Sequence, residues 1–179
     1  MKLNLQIIDF TNYSKEIKQK YICYPQLGSN IMPEIKWNKN NDAKSYALIM
    51  EDPYAVNGNF IHLYIPYINN TITQIGSLNI NSINHFYNNI EKLIKNNDLG
   101  EIKILFGKNS TGEFGYHGPC APKDTGIHHY IFKLYALNNS VKQLSITGTE
   151  EFEKLFKTYI IDSFSVQFPH SYKYYSKKK

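Results

Sequence analysis

Hydrophobic residues recur in short or alternating runs, each bounded by Asn, Asp, Gly or Pro, which is the pattern of β-strands. The five runs cover residues 3–10, 45–51, 59–68, 101–106 and 128–137. In the last run both alternating sets of side chains are largely apolar, so we expect a central strand covered on both faces. Pro66 lacks the N–H that a sheet needs, so the third run should end, bulge or lie at an edge there.

Two other segments carry apolar residues at the helical spacing. One spans residues 83–94 behind Ser82 as the expected cap, and the other spans residues 152–160 behind Thr149 as the expected cap. Strands lie on both sides of the helices without regular alternation. The pattern therefore predicts a mainly β fold, an antiparallel β-sandwich with two or more short peripheral α-helices.

The length of 179 residues fits one domain, and 42% hydrophobic residues are enough for a packed core. No linker or internal repeat is present, so we predict a single domain over residues 1–179. Its last part, about residues 170–179, is a basic tail in which lysines and tyrosines interleave. We interpret this tail as a solvated, frayed terminus.

The formal charge of +5 comes from scattered lysines, so we expect no nucleic-acid partner. No run approaches the roughly 20 apolar residues of a transmembrane helix, and Asp9 and Lys15 interrupt the start before a signal-peptide core forms. We therefore expect a cytoplasmic protein. Cys23 and Cys120 lie far apart without a CxxC pattern, which is typical of reduced thiols without a structural role.

The fingerprints of common enzymes, such as GxSxG, HExxH, GxGxxG and a Walker loop, do not occur. The most unusual segment is residues 115–130, where His, Pro and Gly cluster before the best strand. Backbone N–H groups near glycine and imidazole donors suit a phosphate or carboxylate. The alternative is a tight connection whose histidines bind neighbouring carbonyls.

Six blocks of the chain, taken together, resemble the phosphatidylethanolamine-binding protein family, above all its prokaryotic branch. The blocks are KYIC at 20–23, IMPEIKW at 31–37, SYALIMEDP at 45–53, FIH at 60–62, GYHGPC at 115–120 and HHYIFKLYAL at 128–137. The resemblance runs from about Leu3 to the second helix and is poor beyond Tyr159. It implies a large central antiparallel sheet, a smaller sheet, and a cavity at one end that binds phosphate, phosphoethanolamine or a phospholipid headgroup.

The resemblance also implies the residues of the binding site. They are Asp52, Pro53, His62, Gly118, Pro119, His128 and Tyr130. His62 and His128 would donate to ligand oxygens, Gly118 would let the backbone approach the ligand, and Asp52 would orient an imidazole or accept from a ligand ammonium. Protonation of the histidines would strengthen anion binding on mild acidification unless burial lowers their pKa.

The chain departs from the family pattern at several positions. Tyr54 replaces a second acid, Val56 replaces a proline, and His129 replaces an arginine of the family's HRY block. These departures concern ligand preference and the surface for partners more than the pocket itself.

Other functions remain as alternatives to a non-catalytic binder of small anions. An inhibitor or scaffold that docks on a kinase or protease is the first, and a hydrolase with Cys120 as nucleophile and a histidine as base is the second. We expect no cofactor and no metal site, because His128 and His129 are adjacent on a strand and point to opposite faces.

Overall fold

The computed structural model describes residues 2–9, 17–76 and 102–172. The strands are β1 (Leu5–Ile7), β2 (Ile35–Trp37), β3 (Ser45–Asp52), β4 (Phe60–Asn69), β5 (Gln74–Ile75), β6 (Ile104–Leu105), β7 (Ile127–Leu137) and β8 (Ile160–Ser171). In these residues one α-helix is present, α1 (Thr149–Phe156), together with two short 3-10 turns, Gln19–Tyr21 and Tyr24–Gln26.

The strands form two antiparallel sheets. A five-stranded sheet has the order β6-β4-β3-β7-β8, and a three-stranded sheet has the order β1-β2-β5. The prediction of a mainly β, antiparallel fold with a large and a small sheet is confirmed. The expected central strand is β7, which pairs with β3 on one side and β8 on the other.

Each face of the large sheet covers its own apolar core. The inner face packs against the small sheet, so that Leu48 and Phe132 share a cluster with Ile35 and Trp37. The outer face packs against α1 through a smaller cluster that includes Tyr135 and Phe152. Two covered faces explain why the side chains of β3 are buried from end to end.

Strand β4 contains two irregularities in its pairing with β3. Tyr46 is opposite Ile68 but Leu48 is opposite Ile65, so β4 has one extra residue around Pro66. This β-bulge confirms the expectation from the missing N–H of proline. The second irregularity lies where Met50 is opposite Leu63 and Glu51 is opposite Ile61, which leaves His62 as the extra residue.

The C-terminal part differs from the sequence-based prediction. The helix ends at Phe156 rather than Ile160, and Ile160 begins the 12-residue strand β8, which pairs with β7 along its length. His170 and Ser171 of the expected tail belong to β8, and the tail beyond Tyr172 lies outside the described residues. The predicted helix at residues 83–94 also lies outside them.

The expected cap of α1 is wrong in detail. Gly148 is the N-cap, and Thr149 is the first helical residue. The carboxylate of Glu51 accepts hydrogen bonds from the Thr149 N–H (3.0 Å) and hydroxyl (2.5 Å). A side chain from β3 therefore satisfies the helix terminus in place of a local cap, and it also places a negative charge at the positive end of the helix.

Candidate ligand-binding site

A cavity of about 260 Å³ opens at one end of the large sheet, where β3 ends and β4 and β7 begin. Four of the residues expected from the sequence line it: Asp52, His62, His128 and Tyr130. The other lining residues come mainly from the loop after β3 and the loop before β7, and they are Ala55, Val56, Asn57, Gly58, Asn59, Phe60, His117, Cys120 and Pro122. The cavity thus joins three distant parts of the chain.

Sheet register explains why these side chains share one face. Asp52 is opposite Phe60 on the inner face, and Tyr130 lies two residues before Phe132 of the inner core. In a regular strand His62 would point away from this face, because its neighbour Leu63 belongs to the inner core. The β-bulge at His62 turns both side chains inward and so brings the imidazole to the cavity.

Asp52, His128 and Thr125 form a chain of hydrogen bonds. Asp52 Oδ2 lies 2.5 Å from His128 Nδ1, and His128 Nε2 lies 2.9 Å from Thr125 Oγ1. The Thr125 hydroxyl donates to the carbonyl of Pro122 at 2.7 Å, so it accepts from His128 Nε2. Nδ1 faces the carboxylate, so the proton of this hydrogen bond lies between Asp52 and His128. Both side chains are at least 95% buried.

His62 is a buried, neutral imidazole. Its Nδ1 lies 2.8 Å from the backbone carbonyl of His117, so Nδ1 carries the proton and donates. Burial lowers the pKa of His62 to about 3, although the backbone carbonyls of His117 and Gly118 act to raise it. The strengthening of anion binding that we expected on mild acidification therefore does not apply to His62, because burial lowers its pKa. Nε2 of the ring is left with a lone pair, so His62 does not donate to a ligand as expected.

Tyr130 stands at the centre of the imidazoles. Its ring contacts His62 edge-on at 5.0 Å between centroids, and the rings of His128 and His170 lie 6.5 and 6.3 Å away. Burial, with a smaller contribution from Asp52, raises the pKa of Tyr130, so its hydroxyl keeps its proton. The phenol is therefore a hydrogen-bond donor at the wall of the cavity.

His117 is a lining residue that the sequence-based list omits. Its ring lies 5.9 Å from that of His62 and 5.7 Å from that of Phe60, and burial lowers its pKa. The sequence did contain a signal, since His117 immediately precedes Gly118 and Pro119 in the unusual loop.

Three expected residues do not line this cavity. The Gly118 N–H donates to Asn30 Oδ1 at 2.6 Å, and a Cβ at Gly118 would lie 2.4 Å from the carbonyl oxygen of Tyr21. Glycine is thus needed there for close backbone packing. The Pro119 carbonyl accepts from the Cys23 N–H, and Pro53 lines a different cavity.

The interpretation of the cysteines as separate thiols is wrong. Cys23 and Cys120 form a disulfide with their Cα atoms 5.4 Å apart, although 97 positions separate them in sequence. Chain folding brings them together, because the segment around Cys23 packs on the loop that carries Cys120. The hydrolase alternative therefore loses its nucleophile, since a disulfide sulfur is not a thiolate. Disulfides are typical of oxidising compartments, so the cytoplasmic location stays a prediction that the cysteines do not support.

A larger cavity of about 560 Å³ lies on the outer side, at the start of α1. Glu51, Glu150 and Glu151 line it, and the buried Glu51 carboxylate already binds Thr149 and Asn59. Its acidic lining disfavours an anion, so the smaller cavity is the better candidate site. In the described residues no helix is long and apolar enough to span a membrane.

Comparison with known proteins gives a consistent result. Residues 8–169 match the family model described as "Phosphatidylethanolamine-binding protein". The UPF0098 protein PH1269 of Pyrococcus horikoshii is similar, with 30% identity over 162 residues that cover 89% of this chain and 73% of that protein. LppC of Mycobacterium tuberculosis, named as a lipoprotein, is 31% identical over 112 residues, which cover 62% of this chain and 45% of LppC.

Among solved structures, E. coli YbcL, described as a new member of the mammalian PEBP family, has a similar fold. Its TM-score is 0.72 at 18% identity, and the match covers 97% of this chain and all (100%) of the YbcL chain. At this identity the match supports the fold alone.

Proposed function

The chain belongs to the phosphatidylethanolamine-binding protein family, and from that premise we propose that it is a non-catalytic protein that binds a small anionic group in the inner cavity. The group is phosphate, phosphoethanolamine or the headgroup of a phospholipid. The observation that carries this proposal is the meeting of Asp52, His62, His128 and Tyr130 at a single cavity of about 260 Å³. That volume suits a ligand smaller than a typical drug molecule.

The chemistry of the lining supports an anion over an apolar ligand. Tyr130 offers a hydroxyl proton, and His117 offers a ring N–H. His128 Nε2 contacts Thr125, an exposed residue whose hydroxyl already has a second partner in the carbonyl of Pro122. A ligand oxygen can replace the Thr125 hydroxyl on His128 without leaving Thr125 unpaired.

The same contacts argue against a hydrolase that uses Thr125 as its nucleophile. A serine- or threonine-type nucleophile donates its proton to the histidine that activates it. Here the Thr125 hydroxyl donates to Pro122 and accepts from His128. The chain of Asp52, His128 and Thr125 is thus better suited to holding an imidazole in place than to forming an acyl-enzyme.

The test is thermal unfolding of the wild type with inorganic phosphate or phosphoethanolamine. Ligand at about 100 times its Kd stabilises a folded protein by roughly 2.7 kcal/mol, which is a clear rise in Tm. His128→Ala should abolish the rise, and Tyr130→Phe, which removes only a hydroxyl, should reduce it.

His129→Ala is the matched control, because His129 is adjacent in sequence but exposed on the opposite face of β7. Its response to ligand should equal that of the wild type. An equal rise in His128→Ala and wild type would contradict the proposal.

A second candidate function is docking on a protein partner such as a kinase or protease. Tyr54, Val56 and Ile127 are 78%, 65% and 67% exposed and lie at the same end of the sheet as the cavity. Exposed apolar groups around a pocket are typical of interaction surfaces. A kinase or protease retained by the wild type and lost by the Tyr54→Ser/Val56→Ser variant would support docking, whereas equal retention would contradict it.

A further inference from the structure

The hydrogen-bonding groups of the cavity suit a ligand that donates one hydrogen bond as well as accepting others. This inference rests on the proposed function and concerns the protonation state of the anion that the site prefers. His62 is central to it, because its imidazole donates to a backbone carbonyl and not to the ligand.

The Nδ1 proton of His62 is committed to the carbonyl of His117. A neutral imidazole has one ring proton, so Nε2 is an acceptor. Within the described residues Nε2 has no hydrogen-bond partner, and this atom is not fully buried. The side chain is 4% exposed and lines the cavity, so the cavity is where this lone pair meets a ligand.

The carboxylate of Asp52 adds a second acceptor to the same wall. Its Oδ1 accepts from the Tyr54 N–H at 3.1 Å, and its Oδ2 shares a proton with His128. The Asp52 carboxylate lies 2.5 Å from His128 Nδ1 and would balance any positive charge on that ring, so the pair supplies no net positive charge to a ligand. The 20 basic residues of the chain are all lysines, and no lysine lines the cavity in the described residues.

A fully deprotonated dianion fits this wall poorly. It would bring two negative charges beside the Asp52 carboxylate and the lone pair of His62 Nε2, and no lysine of the described residues lines the cavity to balance them. A phosphate monoanion fits better, because it carries a proton that can be donated to Nε2 while its other oxygens accept from Tyr130 and His117.

We propose that the cavity selects a protonated phosphate monoanion and that His62 Nε2 is the specificity-determining acceptor of its proton. Sulfate, which has nearly the same shape but no proton at neutral pH, leaves Nε2 facing an oxygen lone pair. A hydrogen bond to a charged group lost in this way corresponds to an expected preference for phosphate over sulfate of about 10- to 100-fold.

Other titratable groups that face His62 also bear on the pH dependence. They are His117, His128 and Tyr130 around the ring, with Asp52 on His128 and Glu113 near His117. Sulfate titrates none of its own protons between pH 6 and 8, so its pH dependence reports these protein groups alone. The ratio of phosphate to sulfate affinity isolates the contribution of the ligand proton, and it should rise from pH 8 to pH 6.

The experiment is calorimetric titration of the full chain with sodium phosphate and sodium sulfate at pH 6 and pH 8. His62→Phe removes the acceptor and should bring the two affinities within about twofold of each other, since no lone pair then distinguishes them. His62→Gln keeps an amide that can donate to the His117 carbonyl and still present an acceptor, so it should retain part of the preference.

The possible results separate this inference from the proposed function. Equal binding of phosphate and sulfate by the wild type would overturn the selectivity and leave anion binding intact. A preference unchanged in His62→Phe would overturn the role of His62. If neither anion binds to wild type, both the proposed function and the inference fail.

Discussion

Reduction of the Cys23–Cys120 disulfide should destabilise the protein by an amount that the length of the closed loop determines. The two residues are 97 positions apart, and the chain-entropy relation gives about 4.7 kcal/mol for a loop of that length. Removal of a native disulfide from a small domain typically costs about 2–5 kcal/mol. A typical domain is stable by about 5–15 kcal/mol, so reduction should remove a large fraction of the total.

The reduced protein should nevertheless fold in the same way, because other contacts hold the two loops together. The Cys23 N–H donates to the Pro119 carbonyl at 3.1 Å, Gln26 Nε2 donates to the Ala121 carbonyl at 2.5 Å, and Gly118 donates to Asn30. The effect of the disulfide should therefore lie mainly in the unfolded chain, with a smaller loosening of the cavity wall that contains Cys120.

The assay is urea unfolding at pH 7 with and without a phosphine reductant. A matched control is the Cys23→Ala/Cys120→Ala variant, which should have a lower midpoint than the oxidised wild type and should not respond to the reductant. A reductant effect below about 1 kcal/mol on wild type would refute the reasoning. Thiol titration of the wild type, unfolded without reductant, would also refute it if two free thiols were found.

Three further predictions concern buried polar groups. Burial lowers the pKa of His62 to about 3 in the folded protein, whereas it is ~6.5 in the unfolded chain. The free energy of unfolding should therefore decrease as the pH falls below 6.5, by about 2 kcal/mol at pH 5. In urea unfolding measured across this pH range, His62→Phe should show a smaller decrease. Glu51→Ala should cost about 1–3 kcal/mol by leaving the Thr149 N–H unpaired, and Glu51→Gln less. A double-mutant cycle of Asp52→Asn and His128→Gln should give a coupling free energy of about 1 kcal/mol or more, because the two side chains share a hydrogen bond. Additive effects of the two substitutions on the free energy of unfolding would contradict this shared hydrogen bond.

Much of the large sheet was predictable because its strands obey simple alternation. The two apolar sets of β7 and the missing N–H of Pro66 each gave a correct expectation. Strand β8 was also accessible, since Phe164, Val166 and Phe168 alternate with polar residues. It was missed because the helical pattern was extended to Ile160 and the basic C-terminus was interpreted as frayed.

Two features of the site could not be predicted from the sequence. The face on which His62 lies depends on a β-bulge, and strict alternation would place it on the side opposite to Leu63. The disulfide depends on two segments meeting in space, and a separation of 97 positions carries no local signal. The close packing of Gly118 against the backbone of Tyr21 likewise depends on two segments that are distant in sequence.

The measurement that tests anion binding most directly is a crystal structure of the protein soaked in phosphate at a concentration well above the Kd measured by calorimetry. We predict tetrahedral density in the inner cavity, with one oxygen near His62 Nε2 and another near the Tyr130 hydroxyl. An empty inner cavity, or density only beside surface lysines, would contradict the proposal.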